Sequence, residues 1–127
     1  MRLVLSSALL CLVLSGCASA AGAGGGGGNP NLINSEHLRE AEAEGVSAFQ
    51  LIERLRSRWL RARGASSFTN EVSAPMVILD GVPYGEAITL QSMAVVDIGE
   101  IRFMNATDAT TRFGTGYTGG AILVSRR

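Results

Sequence analysis

Apolar and polar positions alternate in three different ways along the chain. Leu3 to Leu14 is a continuous apolar run. From Asn34 to Leu60 the apolar positions recur at helical spacing. Asn34 or Ser35 caps a short helix over Glu36–Glu44, and Gly45 stops it. Ser47 and Gln50 have the S-x-x-Q form of a capping box, and Phe49, Ile52, Leu55 and Trp59 then mark one face of a second helix, widened by Leu51. This predicts a helix over Ser47–Leu60 whose run ends at Gly64, with Trp59 as a core plug. Beyond it the period shortens. Phe68–Val72 reads as a short edge strand, and Met76–Leu79 as a strand buried on both faces.

Asp80-Gly81 turns the chain, and Pro83 fixes its exit. Glu86–Val95 is expected to be a short helix packing Ile88, Leu90 and Met93. Ile98–Met104 alternates, with Ile101 and Phe103 on one side and Glu100 and Arg102 on the other. Thr107 or Asp108 starts a helical turn that ends at Gly114, and Ala121–Val124 is a second buried strand. The stretch from Asp80 to Ile98 is long enough for a crossover, so Met76–Leu79 and Ile98–Met104 are expected to run parallel. The sum is an α+β (α/β-like) domain: a mixed sheet of three or four strands with two or three short helices.

Composition narrows the chemistry. With 127 residues the chain has room for one domain. The 11 basic and 11 acidic residues balance, so no global field favours nucleic acid. Cys11 and Cys17 both precede the domain, which excludes a disulfide framework and a cysteine metal site, and His37 alone cannot build a metal cluster.

The amino-terminal run, with Arg2 before it, is too short to span a bilayer and has the form of a signal sequence. It closes in Leu14-Ser15-Gly16-Cys17, which resembles the lipobox of bacterial lipoproteins. That resemblance implies a signal peptide over residues 1–16, lipidation (palmitate included) of Cys17, and an outer-membrane lipid anchor in the cell envelope, since Ala18 is not Asp. Ordinary secretory cleavage after Ala18 or Ala20 is the alternative. Residues 17–30 read as the lipidated cysteine and a Gly-rich tether, and residues 31–127 as the domain.

Arg54, Arg58 and Arg61 fall on one helical face, with Arg56 and Arg63 beside it. The reading preferred here is a solvated face. Anionic lipid head groups are its most plausible acidic partner, and nucleic acid is not expected. Gly114, Gly116 and Gly119 match G-x-G-x-x-G formally, but they follow a helical turn and lead into a strand, the reverse of a dinucleotide site.

In the last third, separated elements match a known family in order. Asp80, Gly81, Val82 and Pro83 close a strand; Ile98, Ile101 and Phe103 form the next. Ala109, Arg112, Phe113 and Gly114 follow, and then Gly119, Gly120, Ala121 and Ile122. This pattern resembles the plug domain of TonB-dependent outer-membrane receptors, over roughly Asn31 to Val124. Phe113 stands where the family usually has Tyr, and Asn105-Ala106 where it often has Gly-Pro. The resemblance implies a plug-like fold and, as partner, an outer-membrane receptor or a coupling protein. Arg127 follows closely on the plug-like strand, so the expectation is an orphan plug without the barrel a transporter needs.

No catalytic residue, metal ligand or cofactor emerges. Asp80 and Asp108 read as turn and cap residues, and no Ser sits in G-x-S-x-G. The expected function is non-enzymatic: a protein- or ligand-binding accessory of outer-membrane uptake, held periplasmically or at the surface. Asp80, Tyr84, Arg112 and Tyr117, in the loops Asp80–Tyr84 and Arg112–Thr118, are the expected partner-binding positions. Tyr84 and Tyr117 would serve as anchors, or else cover the edge of the core. The alternative function is a structural lipoprotein that lies on head groups through Arg54, Arg58 and Arg61.

Overall fold

Helices on both faces of a mixed sheet make up the α+β domain seen in the computed structural model, which describes residues 28–62 and 73–127. In chain order the elements are β1 (Leu32–Ile33), α1 (Ser35–Glu44), α2 (Ala48–Arg56), β2 (Met76–Leu79), β3 (Val82–Glu86), β4 (Ile98–Met104), α3 (Ala106–Phe113) and β5 (Ala121–Arg126). Short 3₁₀ turns occupy Ser57–Trp59, Ala87–Ser92 and Val95–Asp97. The expected signal sequence, Cys17 and most of the expected tether lie outside the described residues, as does the strand expected at Phe68–Val72.

Five strands are ordered β1-β4-β5-β2-β3. The expected parallel pairing of β2 with β4 is corrected: β5 lies between them, parallel to β2 and antiparallel to β4. Connection length shows that a crossover is possible. It does not say which strand ends up alongside, and the more apolar β5 takes the central place. Met76 pairs with Ala121 and Leu79 with Val124, while Ile98 pairs with Arg126 and Met104 with Ala121. These pairs define two ends of the sheet. At the upper end β2 and β5 finish and β4 begins; at the lower end β2 and β5 begin and β4 finishes.

A second correction concerns Asp80-Gly81. The turn closes a hairpin, with β3 antiparallel to β2 across a bulge between Val77 and Ile78. The helix expected over Glu86–Val95 is replaced by the end of β3 and two 3₁₀ turns. Ile88, one of its expected core residues, is exposed, while Leu90 is buried.

The local signals for the first two helices hold. Asn34 caps α1 by accepting from His37 N–H, Gly45 ends it in the left-handed region, and Ser47 and Gln50 form the reciprocal capping box of α2. That helix ends earlier than its periodicity suggests. Arg56 has φ −144° and ψ 47°, so Arg54 lies on the α-helix whereas Arg58 belongs to the 3₁₀ turn and Arg61 lies beyond it. For α3, Asn105 is the cap, ahead of the expected Thr107 or Asp108; its side chain accepts from Asp108 N–H at 2.8 Å.

Strand alternation divides the core in two. Val77, Ile122 and Val124 face α1 and α2 with Leu38, Leu51 and Trp59. Ile78 and Ala121 face α3, beneath Ala109, Phe113 and Tyr117. Adjacent fully buried residues such as Val77 and Ile78 therefore point into opposite layers, as a doubly covered strand requires.

Candidate functional site

The upper end carries a concavity, a groove of about 490 Å³. Leu79, Tyr84, Met93, Ala94, Val96 and Ile98 are among the residues lining it. Its position follows from the topology. The hairpin brings Tyr84 beside the end of β2, the 3₁₀ turns supply Met93 to Asp97, and β5 delivers Arg126 and Arg127 to the same rim.

Fixed contacts hold that rim. Asp80 donates its backbone N–H to Val124 O at 2.9 Å, and its Oδ1 accepts from Arg126 N–H at 2.9 Å. The Arg126 Nε lies 3.7 Å from Asp80 Oδ2. Arg127 donates its N–H to Asp97 O at 3.2 Å, and its guanidinium pairs with Glu42 of α1. Arg126 and Arg127 are thus each paired with an acid, and exposed Asp97 adds a negative charge to a lining whose other side chains are mostly apolar. Among the described residues, the large apolar side chains that stand exposed are Val82 (64%), Tyr84 (50%), Ile88 (57%) and Val96 (57%). All four fall between positions 82 and 96, and Tyr84 and Val96 meet in the groove.

The sequence-derived loops do not converge. Asp80 and Tyr84 sit at the upper end, whereas the Gly114–Gly120 loop enters β5 at the lower end, where Ala121 pairs with Met76 and Met104. Tyr117 is buried, 5.5 Å from Phe113 between ring centroids, and Arg112 lies over the Phe113 ring at 5.4 Å. Of the two roles open to Tyr117, covering the core is the one it takes. Tyr84 is the exposed one.

A smaller cleft of about 230 Å³ opens at the lower end, lined by Asn31, Arg58, Trp59, Phe103 and Asn105. Trp59 is buried and stacks on Phe103 with ring centroids 5.6 Å apart, as the plug reading of that residue anticipates. Its Nε1–H is buried and has no hydrogen-bond partner among the described residues. Arg54, on α2, pairs with Glu44 at 2.5 Å and does not line this cleft.

Neither concavity presents a buried acid, base or nucleophile: among the described residues, no polar or charged residue is buried. No group of three His, Cys, Asp or Glu among them could hold a metal ion. The groove floor at Met93–Ile98 and its C-terminal rim escaped the sequence reading. Nothing in the sequence marked them, because Val95 and Val96 are chemically alike and only the fold buries one and exposes the other.

No family model, curated protein or solved structure matches this chain.

Proposed function

We propose that this protein is a non-enzymatic, lipid-anchored module of the bacterial envelope whose plug-like domain binds a protein partner in outer-membrane uptake. One observation carries the reading: Tyr84 and Val96, two of the exposed large apolar side chains, meet in the groove at the upper end, where Arg126 faces Asp80 and Arg127 pairs with Glu42. Apolar surface left open beside a concavity is the usual mark of a partner site. The plug resemblance supports the uptake context. The strand leading into Asp80-Gly81, the strand bearing Ile98, Ile101 and Phe103, the helix closing in Phe113-Gly114, and the strand after Gly119-Gly120 follow in the order of the motif, with the added hairpin strand β3 after the first. The anchor is supported by the Leu14–Cys17 lipobox.

The test is site-directed photo-crosslinking in the native envelope. A benzophenone amino acid replaces Tyr84 or Val96 in the full chain, with the same group at exposed Glu53 on α2 as control. Crosslinks to an outer-membrane protein from the two groove positions, absent from the control, are expected. Adducts no different from the control's would sink the proposal. Mass spectrometry of the amino-terminal fragment tests acylation of Cys17 separately.

A further inference from the structure

We infer that the occupant of the upper groove is a basic amphipathic helix of the partner protein, its apolar side chains against Tyr84 and Val96 and a Lys or Arg against Asp97. The inference rests on the partner-site reading of the groove and adds the chemistry of what fills it.

Charge sets the sign. Between Ser73 and Ile101 the chain carries Asp80, Glu86, Asp97 and Glu100 and no Lys, Arg or His. That stretch supplies Leu79, Tyr84, Met93, Val96 and Asp97 to the groove lining. Asp80 faces Arg126, and Glu100 pairs with Arg102 at 3.0 Å. Among the described residues no ion pair uses Glu86 or Asp97, and both are exposed. Asp97 lines the groove beside the exposed Val96, and Glu86 stands two residues beyond Tyr84 on β3. Arg126 and Arg127 are each matched by an acid, so the surplus charge beside the apolar lining is negative. A surface of that sign disfavours anionic head groups and nucleic acid, and it favours a basic side chain.

The backbone sets the form. β3 is an edge strand of the sheet, yet an added strand would find little there to pair with. Pro83 has no N–H, the register shifts opposite Val77 and Ile78, and Glu86 O already accepts from Thr89 Oγ1 at 2.7 Å. The occupant must therefore satisfy its own backbone groups, as a helix does, and reach the groove through side chains alone.

The test places a benzophenone amino acid at Tyr84 of the full chain in isolated native envelopes. Digestion and mass spectrometry then locate the captured segment. It should carry Lys or Arg within one helical turn of the captured apolar residue. Asp97→Asn should lower the adduct yield about two- to fivefold. Asp97→Arg should lower it further, and Glu53→Gln on α2 should leave it unchanged. Raising the salt should lower the yield of the unsubstituted Asp97 protein in the same way, a readout that needs no variant to fold. A yield indifferent to both salt and Asp97→Arg overturns the inference, as does a captured segment without a basic residue, or lipid captured in place of protein. Each of the first two outcomes leaves the groove a partner site of other chemistry. Adducts no more frequent than those from the Glu53 control position sink the partner site itself, and this inference with it.

Discussion

Asp80 and Arg126, far apart in sequence, lock the upper end of the sheet: the Asp80 carboxylate accepts the Arg126 backbone N–H at 2.9 Å and stands 3.7 Å from its guanidinium. Asp80 is also the non-glycine residue with positive φ (50°) among those described. The left-handed region costs most side chains about 1–2 kcal/mol, and Asp or Asn least because the short polar group bonds locally. The turn residue of the β2–β3 hairpin is thus at the same time the clip on β5.

Three substitutions at Asp80 separate those two roles. Asp80→Ala loses the hydrogen bond and keeps the strained backbone, so it should cost about 2 kcal/mol. Asp80→Gly loses the same bond and relieves the strain, for a cost of about 1 kcal/mol. Asp80→Asn keeps an acceptor for Arg126 and loses only a half-exposed ion pair, worth less than about 1 kcal/mol. Urea denaturation followed by circular dichroism checks the order, and an Asp80→Ala protein as stable as Asp80→Asn would refute it.

Trp59 supplies the second prediction. Its ring stacks on Phe103 at 5.6 Å while its Nε1–H finds no partner among the described residues. Trp59→Ala should cost about 3–5 kcal/mol through the cavity it leaves. Trp59→Phe leaves a smaller void but also removes a buried donor whose desolvation is worth about 1–3 kcal/mol. The two terms oppose, so Trp59→Phe should stay within about 1.5 kcal/mol of the parent. Far-UV circular dichroism is the suitable probe, because the substitution removes the chain's single tryptophan.

Gly119-Gly120 leads to a third. A Cβ on Gly119 would stand 2.4 Å from Ser73 O and 2.6 Å from Ala74 O, both backbone atoms that cannot swing aside. Gly120 has φ +89°, and its Cβ would meet Met104 O at 2.8 Å. The pair lets the chain pass close to the strand ends before β5 starts. Gly119→Ala and Gly120→Ala should each cost more than about 2 kcal/mol. Thermal unfolding checks this, and a drop in Tm of less than about 5 °C for either would contradict it.

How much of this was legible beforehand depends on the range of the interaction. Asn34, Gly45 and the Ser47–Gln50 box act within one turn of chain, and each was readable. The doubly buried β2 and β5 were equally plain, because four consecutive apolar residues leave no polar face. The edge strand β3 was not: Pro83 and Gly85 lower strand preference, and pairing with β2 overrides them. Strand order also escaped, because neighbours in a sheet are chosen by burial across the whole domain. For the site, Tyr84 was visible as a loop aromatic. The burial of Tyr117 was hidden because it depends on α3 folding over the sheet and placing Phe113 beside it.

The last prediction concerns the groove itself. Tyr84 and Val96 line it and are each at least half exposed, so neither holds the core together. Surface substitutions of this kind usually move stability by no more than about 0.5 kcal/mol. Removing an aromatic anchor from a partner site typically costs about 2 kcal/mol or more of affinity, roughly thirtyfold. Tyr84→Ser and Val96→Ser should therefore leave the melting curve in place while abolishing the photo-crosslinks made from the other groove position. A protein whose Tm falls steeply on either change would place these side chains in the structural core, and undiminished crosslinking would move the partner surface elsewhere.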